Sequence, residues 1–111
     1  MKVLCEQPNL DPVEGIPTFA TAFRDGSGYV LIQFRGAAGD EDWIGSDHYV
    51  EVNDQLHGAF GGIRSMVVTE TSLTLTLSGP ANLFAEPMEL VFAEPLAENA
   101  LKMLDLARQQ R

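Results

Sequence analysis

The sequence predicts an α+β fold: an antiparallel β meander of about six or seven strands packed against one C-terminal helix. Several short runs alternate apolar and polar residues, most clearly Leu73-Thr74-Leu75-Thr76-Leu77, which is typical of a sheet with one solvated face. Glycine-rich turns separate these runs, and the apolar residues after Pro95 recur at helical spacing. The 111 residues fit a single domain that spans positions 1–111.

The first part of the chain predicts an edge strand followed by a hairpin. Residues 1–5 suit a short edge strand, and residues 6–17 contain three prolines, which indicate a loop. Residues 18–24 and 29–35 have the composition and alternation of strands. The turn Asp25-Gly26-Ser27-Gly28 joins them, because its glycines accept positive φ without steric cost.

The second part of the chain predicts more strands and then the helix. The predicted strands are residues 48–53, 63–69, 72–78 and 88–93. Residues 54–62 contain three glycines, so a turn or one short helical piece is expected there. Pro95 suits the first position of the helix. The apolar stripe of this helix is expected to cover the leucine face of the sheet, and it consists of Leu96, Ala97, Ala100, Leu101, Leu104 and Ala107.

Charge and cysteine content narrow the function classes. The net charge of −9, with only seven scattered basic residues, argues against a nucleic-acid partner, since phosphate binding depends on clustered Lys and Arg. The single cysteine, Cys5, excludes an internal disulfide and indicates a reducing compartment. Nothing near Lys2 resembles a secretory signal, and no apolar run approaches a membrane span. A cytoplasmic protein without a membrane contact is therefore expected.

The residue patterns favour a protein that is not an enzyme and that holds no cofactor or metal. Cys5 lies in an apolar segment, where a thiol is usually inert. His48 falls on one face of a strand, and Glu51 falls on the other face together with Tyr49. His48 and His57 are nine residues apart, which is not a usual ligand spacing. A glycosidase in which Glu51 and Asp54 are the catalytic carboxylates is disfavoured, because the chain is short. A metal-dependent hydrolase is the least favoured alternative.

The order of the later segments resembles a known family. The relevant segments are Tyr49-Val50-Glu51-Val52-Asn53-Asp54-Gln55, then Gly58 and Gly61-Gly62-Ile63, and then the paired strands that end in residues 73–77. The earlier hairpin and the strand Met88-Glu89-Leu90-Val91-Phe92 follow in compatible order. From about Phe19 to the helix, the chain thereby resembles the bacterial polymorphic-toxin immunity proteins, specifically the tenth immunity family. The resemblance implies a non-catalytic protein that binds and neutralises a cognate toxin.

Charge clustering, and not the family, suggests where such a partner would bind. No Lys or Arg lies between Arg35 and Arg64, so this stretch is an acidic segment whose carboxylates have no Lys or Arg among them. Such a segment suits a basic, nuclease-like toxin. The predicted partner-binding residues are Asp40, Glu41, Asp42, Trp43, Asp47, Glu51 and Asp54. Trp43 has two interpretations, a cap on the core or an interface anchor.

A second class of function stays open beside the immunity protein. The chain has the size of a small structural or interaction module, such as a secretion-system accessory. A homodimer is also possible, because the first and last strands are poorly protected in sequence and an unprotected strand edge can pair with another chain.

Overall fold

The structure is a computed structural model that describes residues 1–34 and 48–109, with the backbone alone for residues 106–109. The described residues form eight strands, a 3₁₀ turn and one α-helix. The elements are β1 (Lys2–Cys5), β2 (Thr18–Ala22), β3 (Tyr29–Phe34), β4 (His48–Val52), β5 (Asp54–Phe60), β6 (Ile63–Val68), β7 (Ser72–Leu77), the 3₁₀ turn (Gly79–Ala81), β8 (Met88–Phe92) and α1 (Glu98–Gln109). The predicted α+β class with one C-terminal helix is confirmed.

The strands divide into two sheets of four, which the sequence did not indicate. Sheet 1 has the order β1-β8-β7-β6, and sheet 2 has the order β2-β3-β4-β5. Every strand pair is antiparallel except β1 with β8, which run parallel with Val3 opposite Leu90. The single meander is therefore corrected to two sheets, because the pairing of β1 with β8 joins segments from opposite ends of the chain.

Main-chain bonds join the two sheets on one side. The Arg24 N–H donates to the Leu4 carbonyl and the Glu6 N–H donates to the Ala22 carbonyl, both at 2.9 Å. These bonds tie β1 of sheet 1 to the end of β2 in sheet 2. The same edge of β2 is covered further along, since Asn9 and Ala20 exchange both of their backbone hydrogen bonds.

On the opposite side, the chain itself passes from sheet 2 to sheet 1. Strands β5 and β6 are separated only by Gly61 and Gly62, and Gly61 has a φ of 66°, which favours glycine. A Cβ on Gly62 would lie 2.8 Å from Val50 Cγ1, so the corner also needs a small residue for close packing. This corner explains why glycines here interrupt a strand pattern without producing a helix.

One hydrophobic core lies between the sheets and continues under the helix. Leu73, Leu75 and Leu77 are buried and alternate with partly exposed residues, as the pattern predicts. From the helical segment, Leu96, Ala100 and Leu104 belong to the same core. Full burial of such side chains contributes about 1.5–3 kcal/mol each to folding.

Three local expectations are corrected. Residues 54–60 form β5 rather than a turn or helical piece, because the strand tolerates an irregularity: Val52 is opposite Asp54 while Glu51 is opposite Gly58. The helix begins at Glu98, so Pro95 precedes it. Ala97 is exposed, because it precedes the first helical residue and its carbonyl accepts the N–H groups of Ala100 and Leu101.

The first and last strands, whose edges were expected to be unprotected, are both paired within the fold. The last strand, β8, lies inside sheet 1 between β1 and β7, so it presents no free edge. The first strand bonds to β8 and, at its end, to the β2 segment. Within the described ranges, no helix is long and apolar enough to cross a bilayer.

Candidate functional site

The most unusual polar feature is a buried carboxylate between two tyrosines on the outer face of sheet 2, the face turned away from the core. Glu51 is only 7% exposed, although its strand neighbours Val50 and Val52 point into the core. Tyr49 donates a hydrogen bond of 2.7 Å to Glu51 Oε1, and Tyr29 donates to Glu51 Oε2. Both phenols therefore bind the same carboxylate, one from β4 and one from β3.

The strand pattern explains why these groups meet. Tyr49 and Glu51 are two residues apart on β4 and so share a face. Strand β3 pairs with β4 so that Leu31 is opposite Glu51, which places Tyr29 on the diagonal of the same face. Diagonal neighbours in an antiparallel sheet are within reach of a long aromatic side chain.

A glycine makes room for the Tyr49 ring. Gly58 is opposite Glu51 on β5, and a Cβ at this position would lie 2.0 Å from the Tyr49 hydroxyl oxygen. The ring of Tyr49 also contacts Phe60, with centroids 5.0 Å apart and planes tilted by 53°. This geometry is a favourable aromatic pairing that holds Tyr49 over β5.

The backbone of Tyr29 is fixed by a side chain at the end of β4. Asn53 has a φ of 69°, and its Oδ1 accepts a hydrogen bond of 3.0 Å from the Tyr29 N–H. A Cβ on Gly28 would lie 1.9 Å from the same oxygen, so the contact depends on glycine there. Asn53 and Gly28 thereby position the start of β3, and with it the Tyr29 phenol.

Burial and the nearby carboxylate both hold the phenols in their neutral form. Burial is the larger cause and the hydrogen bond to Glu51 the second, and together they raise the pKa of Tyr29 from 10.0 to about 12. The same two causes raise the pKa of Tyr49 further. The charge of Asp54 also raises the pKa of Tyr29, so this second carboxylate acts on the same face.

Asp54 and His57 lie beside this cluster at the irregular part of β5. Asp54 is exposed, and its Oδ1 accepts a hydrogen bond of 2.8 Å from the Leu56 N–H. His57 Nδ1 lies 3.2 Å from the same oxygen, yet this nitrogen makes no hydrogen bond. The two atoms are therefore close without forming a hydrogen bond.

Of the seven predicted partner-binding residues, two fall within the described chain. Asp40, Glu41, Asp42, Trp43 and Asp47 lie outside the described residues. Glu51 is buried and bound to tyrosines rather than exposed, and Asp54 is exposed at the far end of β4 from His48. Strand β4 has five residues, or about 17 Å, so its length separates Asp54 from His48, the first described residue after residues 35–47.

The two histidines do not form a site with the carboxylates. His48 is 5% exposed, on the core side of β4, and its Nε2 accepts a hydrogen bond of 2.9 Å from the Ile63 N–H. As the alternation predicts, it lies on the other face from Glu51. In residues 1–34 and 48–109, His, Cys, Asp and Glu side chains do not group as three or more in a way that could hold a metal.

Cys5 is a core residue. It is 2% exposed, and burial is the main reason that the pKa of its thiol rises from 9.0 to about 11. Thiolate is the reactive form of cysteine, so this environment suppresses nucleophilic chemistry.

The arrangement on sheet 2 is suited to attracting a positive charge. Each phenol donates a hydrogen bond to the Glu51 carboxylate, which leaves the phenolic oxygen as an electron-rich acceptor. Sequence reasoning placed Tyr49 and Glu51 on one face but missed Tyr29. No local signal pointed to Tyr29, since it lies 22 residues before Glu51 in the sequence.

Comparisons with protein-family models, with curated proteins and with solved structures found no match. The resemblance to immunity proteins therefore stays a prediction that rests on the segments quoted for it.

Proposed function

We propose that this protein is a cytoplasmic immunity protein that binds and neutralises a cognate bacterial toxin without catalysis. Two features of the chain support the proposal. One is the resemblance of its segments to the tenth immunity family of polymorphic-toxin systems, and the other is its net charge of −9. A protein so acidic associates favourably with a basic partner.

The observation that carries the proposal is the uninterrupted acidic segment between Arg35 and Arg64. This stretch contains carboxylates and no Lys or Arg, and its first part connects β3 to β4. Phe34 and His48, on either side of residues 35–47, are opposite each other in the antiparallel β3–β4 pair. Residues 35–47, the first part of the acidic segment, thus begin and end at paired strands of sheet 2.

The chemistry of the described residues agrees with a binding role. Groups that often serve in catalysis are used to hold the fold together: the His48 ring accepts the Ile63 N–H, and Glu51 accepts two phenols. The Cys5 thiol is buried. These groups are committed to structural contacts.

In this proposal, binding begins with electrostatic steering. A nuclease-like toxin carries a basic groove for its substrate, and the acidic segment would be drawn to it. Complementary charge raises association rates above the ordinary range of about 10⁵–10⁶ M⁻¹s⁻¹ at low salt. Occupation of the groove would then exclude the substrate.

The proposal is tested by association kinetics with the purified product of a toxin-like reading frame adjacent to this gene. The triple variant Asp40→Ser, Glu41→Ser, Asp42→Ser is expected to associate about tenfold more slowly at low salt and with a flatter salt dependence. The matched control is the triple variant Glu70→Ser, Glu94→Ser, Glu98→Ser, which removes three exposed carboxylates elsewhere. Equal slowing in both variants would remove the acidic segment as the contact. Absence of binding by the unmodified protein would remove the function.

A further inference from the structure

The outer face of sheet 2 combines exposed apolar side chains with the buried carboxylate. Phe60 is 52% exposed and Leu56 is 83% exposed, and both are on β5. Beside them lie the partly exposed rings of Tyr49 and Tyr29, which cover Glu51. Large aromatic side chains of this kind are enriched where proteins bind one another.

Within the described part of the chain, Glu51 has no countercharge of the kind that a buried carboxylate usually has. It is 7% exposed, and no ion pair among residues 1–34 and 48–109 includes it. Buried charges in proteins are normally paired, because desolvation of an isolated charge is costly. Two phenols satisfy the hydrogen bonding of the carboxylate but leave its negative charge uncompensated.

The surroundings of the cluster add to the negative charge. Asp54 is exposed at the same end of the sheet, and its charge acts on the Tyr29 hydroxyl. The face therefore presents aromatic rings and electron-rich phenolic oxygens, while the carboxylate that polarises them lies beneath.

We propose that this face of sheet 2 binds an arginine side chain of a basic protein partner, whose guanidinium supplies a countercharge for Glu51 that the described residues do not. Arginine fits better than lysine, because its planar group stacks on aromatic rings and donates several hydrogen bonds in one plane. The phenolic oxygens of Tyr29 and Tyr49 accept these bonds, and the partly exposed ring of Tyr49 offers a stacking surface.

This inference rests on the proposed function, since it assigns a contact of the same basic partner. It adds a contact region on β3, β4 and β5 to the one proposed for Asp40, Glu41 and Asp42. Steering by the acidic segment and anchoring by the aromatic face are separate steps, so they can be tested separately.

The test uses the whole protein and a peptide probe, acetyl-Gly-Arg-Gly-amide, followed by NMR of backbone amides and aromatic rings. The control peptide carries citrulline in place of arginine, which keeps the shape and removes the charge. We expect shift changes at Tyr29, Tyr49, Phe60 and the Gly58 amide, with binding of the arginine peptide about fivefold tighter than that of the citrulline peptide.

Two variants connect the binding to the cluster. Glu51→Gln is expected to remove most of the preference for arginine over citrulline. Tyr49→Phe keeps the ring and loses the hydroxyl, so it is expected to weaken the preference about threefold while the fold is preserved. Arginine shifts confined to residues 40–47, or a preference unaffected by either variant, would overturn the inference and leave the proposed function standing.

A second copy of this chain is the other molecule that could cover this face of sheet 2. Sedimentation equilibrium of the unmodified protein is expected to give a monomer over the concentrations used for NMR. A dimer that Phe60→Ser dissociates would overturn the arginine proposal, because the face would then be covered by the protein itself. Toxin binding measured as above would in either case decide the proposed function independently.

Discussion

Tyr49 and Glu51 stand two residues apart on β4, face the same side of the sheet, and are joined by a hydrogen bond of 2.7 Å between phenol and carboxylate. Tyr29 reaches the same carboxylate from β3. Both tyrosines of the chain thus report on one carboxylate, so tyrosine spectroscopy observes this cluster without interference from other phenols.

Near-ultraviolet absorbance, which follows tyrosine ionisation, should show that both phenols titrate at a higher pH than free tyrosine. The pKa of Tyr29 is raised from 10.0 to about 12, first by burial and then by Glu51. Because the folded pKa lies above the unfolded one, the associated stability is present below pH 10.0 and is lost as pH rises towards about 12. Protein unfolded in urea serves as the control and should titrate near 10.0.

The variant Glu51→Gln separates the two causes. Removing the charge should lower both midpoints, yet leave them above 10.0 because burial remains. Midpoints equal to those of the unmodified protein would mean that the carboxylate does not act on the phenols.

Gly58→Ala should disturb the cluster through sterics alone. The new Cβ would lie 2.0 Å from the Tyr49 hydroxyl oxygen, so the ring must move away from Glu51. Overpacking of this kind costs about 1–3 kcal/mol, measurable by urea denaturation. The control is a double-mutant cycle with Tyr49→Leu, in which the penalty of Gly58→Ala should largely vanish. If the destabilisation by Gly58→Ala and by Tyr49→Leu were additive, the strain would not arise from contact with the Tyr49 ring.

His48→Leu should destabilise the fold by leaving the Ile63 N–H without an acceptor. The His48 Nε2 now accepts this bond at 2.9 Å within the core. An unsatisfied buried donor costs about 1–3 kcal/mol in the free energy of unfolding. His57→Gln is the comparison, since His57 Nδ1 makes no hydrogen bond, and it should change stability by less than about 0.5 kcal/mol.

The same two histidine positions test the metal-dependent hydrolase. That alternative requires a thermal shift with divalent cations that substitution of His48 and His57 abolishes. We expect no such shift, because His48 faces the core while Glu51 lies on the opposite side of β4.

Cys5 should react slowly with a thiol reagent in the folded protein. Raising its pKa from 9.0 to about 11 lowers the thiolate fraction near neutral pH about 100-fold, and burial restricts access further. The reaction rate should rise to that of a free thiol once the protein is unfolded in urea. Rapid labelling of a sample that thermal unfolding shows to be fully folded would contradict the buried placement of Cys5.

The sequence by itself determined the features that depend on near neighbours. Alternation along residues 73–77 established the buried leucine face, the glycines of residues 25–28 indicated the first hairpin, and helical spacing indicated the C-terminal helix. The same period of two placed Tyr49 beside Glu51 and opposite His48. Such patterns are visible because side-chain direction repeats within a few residues.

Only the tertiary structure decided which distant segments meet. The parallel pairing of β1 with β8 and the division into two sheets depend on contacts between the ends of the chain. Tyr29 reaches Glu51 across 22 residues because β3 and β4 pair in one register, and Ile63 reaches His48 across 15 residues at the glycine corner. Register follows from the packing of the whole core, so local composition carried no signal for these contacts.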